Sequence, residues 1–213
     1  MAMRKVVTRS GRHIRGLFPS TKNQRMVAWE SLLERDAIIL FELSPGVVSY
    51  EEQPSVEIYY DDSSPRKYFP DFAVTLRNGS IAHVEVKPAK KLKGRATRER
   101  FSLIAAQYER QERQFWILTD DEIRVEPRLS NLKLLAYHRR ETLSPLHLDT
   151  LLNSLEPRMS ASFVNFAEIL GGATFVFRLL AAGLLTCDLN EPIQEGTVIH
   201  TTFKGAPNDS LFF

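Results

Sequence analysis

The sequence predicts an α/β protein in which a mixed β-sheet is flanked by helices, with a smaller domain at the C-terminal end. Three observations lead to this fold class. Residues 47–76 have the composition of strands, residues 81–119 follow a strand–helix–strand order, and the residues after 140 change to short apolar helices. The length of 213 residues suits a main domain with a small addition.

The N-terminal region combines a basic segment with a helix. Seven Lys and Arg residues and no acidic residue occur in positions 1–29, so we expect residues 1–17 to form a flexible basic arm. Residues 20–43 predict one long helix that Ser20 or Thr21 caps. Its apolar residues recur at helical spacing, at Leu33, Ala37, Leu40 and Phe41.

Strand and turn signals dominate the next region. Residues 61–65 (DDSSP) predict a turn, and Asn78-Gly79 predicts a hairpin turn before a strand at 81–87. The two strands joined by Asn78-Gly79 are therefore expected to pair side by side.

A crossover unit completes the main domain. A helix at 95–114 is followed by the apolar strand 115–119, which we place at the centre of a sheet covered on both faces. Residues 129–138 predict a closing helix, so the main domain is expected to span residues 18–140.

Residues 141–213 predict a winged-helix-like domain. Three short helix patterns precede a segment that reads as a β-hairpin, which is the order of elements in that fold. The net charge also changes, from +7 over residues 1–140 to −5 over residues 141–213. The basic part is suited to a polyanion, whereas we expect the acidic part to dock another protein.

Cysteine usage and hydropathy predict a cytoplasmic protein without a membrane partner. Cys187 is the single cysteine, so the chain cannot form an internal disulfide. No apolar segment of a signal peptide follows the basic N-terminus. The most apolar run, residues 173–187, is shorter than the roughly 18 residues of a membrane span and contains Arg178.

Two carboxylates and a lysine, Asp71, Glu85 and Lys87, form a candidate catalytic site. Asp71 precedes the Asn78-Gly79 turn, and Glu85 and Lys87 follow it, on one face of a strand because side chains alternate with a period of two. Carboxylates are the ligands that Mg²⁺ prefers, and a lysine can stabilise charge that develops on a phosphate. The alternative interpretation, the charged rim of an ordinary hairpin, stays open from the motif alone.

The register of the hairpin decides whether Asp71 lies on the same face as Glu85 and Lys87. A strict two-residue turn at Asn78-Gly79 would pair Asp71 with Val86 and point its carboxylate away from Glu85. We therefore predict that the pairing departs from a plain two-residue turn, through a longer loop or a bulge, or that Asp71 precedes the regular pairing.

Other candidates have ordinary structural interpretations. Glu34 can complete a metal site from the upstream helix, but it can equally be a surface residue. Asp120 and Asp121 suit a turn or cap, Cys187 suits the core, and the five histidines lack the spacing of metal ligands.

Five blocks, in order through residues 18–140, resemble the TnsA family, the endonuclease subunits of heteromeric transposases. The blocks are VAWESLLERDAIILFEL, VVSYEEQP, YFPDFAV, VEVKPAKK and FWILTDDEI. The resemblance implies a restriction-endonuclease-like core that binds Mg²⁺, with Mn²⁺ as a substitute. It places the family's metal carboxylates on Glu34, Asp71 and Glu85 and its strand lysine on Lys87.

The resemblance also implies partners. Family members cut the non-transferred strand near the 5′ ends of the element, a TnsB transposase acts on the 3′ ends, and the TnsC ATPase contacts the C-terminal domain. Some relatives work with CRISPR-guided targeting complexes, and the sequence leaves that association open. The cations after the catalytic strand are expected to bind the double-stranded DNA of the transposon ends, namely Lys90, Lys91, Lys93, Arg95 and Arg98.

Two other functions stay open at this point. The chain can be a stand-alone restriction or repair endonuclease of the same fold, although an acidic docking domain argues against it. It can also be a non-catalytic scaffold between DNA-bound proteins, although Glu34, Asp71, Glu85 and Lys87 are all present.

Overall fold

The computed structural model describes residues 14–139 and 144–202, and its contacts divide the chain into two units between Val125 and Glu126. The elements of the first unit follow in chain order: β1 (Gly16–Ser20), β2 (Arg25–Trp29), α1 (Leu32–Leu43), β3 (Val47–Glu52), β4 (Glu57–Asp61), β5 (Ser64–Tyr68), β6 (Phe72–Leu76), β7 (Ile81–Val86), α2 (Ala89–Leu92), α3 (Arg95–Arg110), β8 (Gln114–Leu118) and α4 (Asp120–Ile123).

A four-stranded mixed sheet organises the first unit. Its strand order is β3-β6-β7-β8, with antiparallel pairs up to β7 and a parallel pair between β7 and β8. The parallel pair requires a crossover, which α2 and α3 provide. The hairpins β1–β2 and β4–β5 form separate two-stranded sheets. This arrangement confirms the predicted mixed α/β class.

Each face of the four-stranded sheet has its own apolar core, because side chains alternate along a strand. On one face, α1 packs against the residues of β6 and β7 that include Phe72 and Val84. On the other face, α3 packs with the β4–β5 hairpin, whose Tyr68 is fully buried. Glu85 and His83 alternate with Val84 and therefore belong to the α3 face.

The prediction of one long helix over residues 20–43 was wrong, because residues 16–29 form the β1–β2 hairpin and the helix α1 begins only after Ser31. The buried carboxylate of Glu42 explains the hairpin. It accepts hydrogen bonds from the hydroxyls of Ser20, Thr21 and Tyr50 at 2.7, 2.6 and 2.7 Å. The two residues expected to cap the helix therefore shape a turn.

The predicted basic arm, residues 1–17, lies mostly outside the described residues. Its last two positions, 16 and 17, belong to β1 and pair with Trp29 and Ala28 of β2. Regular pairing therefore begins inside the segment that we expected to be flexible.

The apolar strand over residues 115–119 lies at the edge of the sheet, so its predicted central position was wrong. Its composition has a physical explanation. Phe115 and Ile117 pack into the core on the α3 face, whereas Trp116 packs against the core on the α1 face. An apolar run indicates that both faces of a strand are covered, and it does not indicate whether the strand is central. Here both faces of an edge strand are covered.

The turn between β6 and β7 contains three residues, Arg77 to Gly79, which confirms the predicted departure from a two-residue turn. The pair that closes it is Leu76 and Ser80, whose N–H···O distance is 2.8 Å. Gly79 has a left-handed φ of +83°, as expected for a three-residue hairpin loop. Phe72 consequently pairs with Val84, in the register that the site requires.

The second unit contains, in order, α5 (Arg128–Arg139), α6 (Pro145–Asn153), β9 (Ser160–Ser162), α7 (Phe163–Leu170), α8 (Ala173–Ala181), β10 (Leu185–Thr186) and β11 (Val198–Thr201). The short strands form a sheet of order β10-β11-β9. Within the described residues no single helix is long and apolar enough to span a membrane; α7 and α8 meet that criterion only as a pair bent by 104°.

The helix α5 belongs to the second unit, although we expected it to close the main domain. The side-chain amide of Asn131 donates to the carbonyl oxygens of Leu189 and Glu191, both at 2.8 Å. Asn131 is buried, so these bonds fix α5 to the loop before β11. The division of the chain therefore precedes α5 rather than following residue 140.

Gly79→Ala should lower the free energy of unfolding of the first unit by about 1 kcal/mol, because an alanine is strained at a left-handed φ. Gly79→Asn is the matched control and should lose less, since asparagine enters this region more readily. Denaturation followed by tryptophan fluorescence reports on this unit, because Trp29 and Trp116 both lie in it. Equal losses for the two variants would contradict the role of the turn.

Candidate active site

The register of the β6–β7 hairpin brings Asp71 and Glu85 to one face of the sheet. The pair Phe72–Val84 is the last regular pair, and the next positions outward are Asp71 and Glu85. The Asp71 Oδ2 atom accepts a hydrogen bond from the backbone N–H of Val86 at 2.7 Å. The aspartate is therefore fixed against the strand that holds the second carboxylate.

Glu85 is buried and engages both of its carboxylate oxygens. The Tyr68 hydroxyl donates to Oε2 at 2.8 Å, and the Lys87 ammonium forms an ion pair with Oε1. Lys87 also lies 5.2 Å from the centroid of the Phe101 ring. Strand alternation and α3 thus hold the lysine beside the carboxylate pair, as the spacing of Glu85 and Lys87 predicted.

Glu34 belongs to α1, on the opposite face of the sheet, and its carboxylate caps that helix. Oε2 accepts from the backbone N–H of Glu30 at 2.7 Å and Oε1 accepts from the Ser31 hydroxyl at 2.9 Å. The Ser31 hydroxyl in turn accepts from the Glu34 N–H at 3.1 Å. These reciprocal bonds resemble a capping box, so a structural role accounts for Glu34 by itself.

Electrostatics nevertheless connect the three carboxylates. Burial, and then the charges of Glu85 and Glu34, raise the pKa of Asp71 well above its usual range. The hydrogen bond from Val86 and the charge of Lys87 oppose this rise but do not cancel it. Burial also raises the pKa of Glu34, with a smaller contribution from the charge of Glu85. Burial and the neighbouring carboxylates therefore disfavour the charged form of Asp71.

The donor atoms suit a hard cation with few protein ligands. Among residues 14–139 and 144–202, no group of three or more His, Cys, Asp or Glu side chains is arranged to hold a metal. Mg²⁺, however, is commonly bound by one or two carboxylates together with water and phosphate oxygens. Asp71 and Glu85 supply two carboxylates on one face, and Asp71 Oδ1 accepts no hydrogen bond from the described residues. The residues present therefore fit Mg²⁺ or Mn²⁺.

The five cations expected to bind DNA lie directly after the strand that carries Glu85, and all are exposed: Lys90, Lys91, Lys93, Arg95 and Arg98. Arg95 forms a 2.6 Å ion pair with Glu99 one turn along α3. An exposed pair of this kind contributes little to stability and is easily exchanged for a phosphate. The structure thus presents a continuous basic segment beside the carboxylates.

Sequence reasoning missed two side chains that position the site: Tyr68 anchors Glu85, and Ser31 caps the helix that carries Glu34. Asp120, for which a turn or cap was expected, accepts at Oδ1 from the Ala89 N–H at 2.6 Å, which fixes the start of α2. Ser31 could have been found from the S-x-x-E pattern of a capping box. The sequence offers no comparable signal for Tyr68, because its contact depends on the separate β4–β5 hairpin.

The remaining candidates lie outside this arrangement. His83 Nε2 lies 2.9 Å from the Arg113 guanidinium, so this histidine contacts a cation rather than the carboxylates. Burial, and then the charge of Asp188, raise the pKa of the Cys187 thiol to about 11, which keeps the thiol protonated and unreactive at neutral pH.

The fold and the site fit a restriction-endonuclease-like core with paired acidic residues and a lysine. Residues 44–120 match a family model described as TnsA-like endonuclease N terminal. This match confirms the resemblance over about a third of the chain and supports a nuclease of the transposase type. It includes Asp71, Glu85 and Lys87 but neither Glu34 nor the second unit. The comparison with curated proteins found no significant match.

Asp71→Asn should raise the stability of the metal-free protein at neutral pH. Because folding raises the pKa of Asp71, its contribution to stability is complete below its usual value near 4 and is lost as the pH rises through the raised pKa. The advantage of the variant should therefore shrink when denaturation is repeated in chelator at decreasing pH.

Asp62→Asn is the matched control for this experiment, since Asp62 is exposed and asparagine tolerates its left-handed φ of +46°. It should show no comparable gain. An Asp71→Asn variant that is less stable than the wild type at pH 8 would contradict the raised pKa of Asp71.

Proposed function

We propose that this chain is the Mg²⁺-dependent DNA endonuclease subunit of a heteromeric transposase and that it cuts the non-transferred strand at the 5′ ends of a transposon. The observation that carries the proposal is the placement of Asp71, Glu85 and Lys87 on one face of a hairpin whose register brings them together. The match of residues 44–120 to the TnsA-like model supports the same reaction class.

Each side chain has a role that its position supports. Asp71 and Glu85 would hold Mg²⁺, with Glu34 as an additional carboxylate from α1, and Mn²⁺ would substitute. A bound divalent cation would supply the Lewis acidity that phosphodiester hydrolysis requires. Lys87, next to Glu85, can orient the attacking water or stabilise negative charge that develops on the phosphate.

The surroundings of these residues suit duplex DNA. Lys90, Lys91 and Lys93 are exposed immediately after the strand that carries Glu85 and Lys87, and Arg95 and Arg98 continue this basic segment into α3. Phosphate contacts of this kind fix the position of a duplex without reading its sequence. The choice of transposon ends would therefore come from a TnsB-like transposase partner.

The second unit suits a protein partner better than DNA. Its described residues, 126–139 and 144–202, include seven acidic and five basic residues. This balance lacks the basic excess of a phosphate-binding surface. We propose that the unit has a winged-helix-like fold and docks a TnsC-like ATPase regulator.

Asp71→Ala should abolish cleavage of the 5′ strand at transposon ends in a reaction with the cognate transposase and regulator. Removal of one of two carboxylates should lower the rate by about a hundredfold or more, since such a group supports the charge of the transition state. Cleavage is measured on end DNA labelled separately on each strand, and Mn²⁺ binding by electron paramagnetic resonance.

Asp121→Ala, which removes an exposed carboxylate within α4, is the matched control and should cut normally. Full 5′-strand cleavage by Asp71→Ala would refute the catalytic assignment. Cleavage by the wild type without the transposase and regulator would favour the stand-alone nuclease. A wild type that neither binds Mn²⁺ nor cuts DNA would favour the non-catalytic scaffold.

Glu34→Gln separates metal binding from helix capping. A glutamine retains an oxygen that accepts from the Glu30 N–H, so the cap and the stability of α1 should largely survive. If the charge of Glu34 serves the metal, strand cleavage should fall about tenfold or more while denaturation changes little. Ser31→Ala is the converse control, and it should reduce stability by about 1 kcal/mol without a matching loss of cleavage.

A further inference from the structure

Arg100 lies at the rim of the candidate active site, although nothing in the sequence pattern distinguishes it from the other cations of α3. Its guanidinium carbon is 5.9 Å from the centroid of the Tyr68 ring and 5.7 Å from that of Phe101. A guanidinium that contacts two aromatic rings loses freedom before any ligand binds. Arg100 is nevertheless exposed, so its donors can reach a ligand in solvent.

Both of these rings belong to the site. Tyr68 donates its hydroxyl to Glu85, and Phe101 lies 5.2 Å from the ammonium of Lys87. Arg100 and Lys87 therefore lie around the same aromatic ring. This placement distinguishes Arg100 from the cations of α2, which contact neither ring among the described residues.

The guanidinium of Arg100 has no carboxylate partner in the described part of the chain. Its neighbours differ in this respect, since Lys87 pairs with Glu85 and Arg95 pairs with Glu99. Arg113, at the other end of the α3 face, forms two hydrogen bonds with Glu57. The described structure therefore leaves the donors of Arg100 available for an anion at the edge of the carboxylate pair.

We propose that Arg100 binds a backbone phosphate of the cleaved strand immediately next to the scissile phosphodiester. The planar fork of a guanidinium matches two phosphate oxygens, and its contact with the rings fixes the direction of that fork. Arg100 thereby sets the position of the strand relative to Asp71, Glu85 and Lys87. The inference rests on the proposed endonuclease function, and it adds a phosphate-binding residue to the site.

Neutral phosphates test this contact directly. End duplexes carry one methylphosphonate at a time, at each phosphate within about two nucleotides of the mapped cut, and are assayed for binding and single-turnover cleavage in the presence of the transposase and regulator. At one position the neutral phosphate should reduce the binding and the single-turnover cleavage rate of the wild type about tenfold. This is the size of effect expected for a hydrogen bond to a charged group. Arg100→Ala should show the same loss on unmodified DNA and no further loss at that position.

Two variants control for charge and folding. Arg110→Ala removes one cation from the same helix and should behave as the wild type does, because Arg110 donates to the Ala106 carbonyl at the far end of α3. Arg100→Lys keeps the charge without the fork and should retain only part of the activity.

The outcomes separate the two proposals. The role of Arg100 is overturned if, at every position, a methylphosphonate reduces binding and cleavage by the same factor in the wild type and in Arg100→Ala. This holds even if the wild type cuts DNA. Absence of wild-type cleavage overturns the endonuclease function and, with it, the proposed contact next to a scissile phosphodiester.

Discussion

The three-residue turn between β6 and β7 is the constraint on which the candidate site depends. A strand has a period of two, so a turn shorter by one residue would send every side chain of β6 to the other face. The left-handed Gly79 allows the longer turn and keeps Phe72 opposite Val84. Asp71 then meets Glu85 on the α3 face, while the apolar residues of the same strands pack under α1.

This register brings carboxylates close together, and the surrounding side chains only partly offset the resulting electrostatic repulsion. The carboxylates of Asp71 and the buried Glu85 repel each other on one face, and a third lies at the start of α1. Lys87 and Tyr68 engage Glu85, and the Val86 N–H engages Asp71, yet the pKa of Asp71 remains raised. Perturbed pKa values of this kind are common at functional sites, and a stable fold tolerates the unfavourable interaction when the function requires it.

The sequence predicted those parts of the structure that depend on local chemistry. The turn at Gly79, the pairing of β6 with β7 and the shared face of Glu85 and Lys87 follow from residue spacing alone. The errors came from contacts between distant residues. The Glu42 carboxylate holds the turn of the hairpin that residues 16–29 form, and Asn131 attaches α5 to the second unit. Tyr68 and Arg100 were missed for the same reason, because the hydrogen bond from Tyr68 to Glu85 and the contacts of Arg100 with Tyr68 join separate elements.

The central claim, that Asp71 and Glu85 form one metal site, is tested most directly by anomalous diffraction from crystals of the protein soaked in Mn²⁺. We predict one strong anomalous peak within bonding distance of oxygen atoms of both carboxylates, with Lys87 displaced from Glu85. A peak bound by other residues, or an unchanged Lys87–Glu85 ion pair without a peak at saturating Mn²⁺, would contradict the claim.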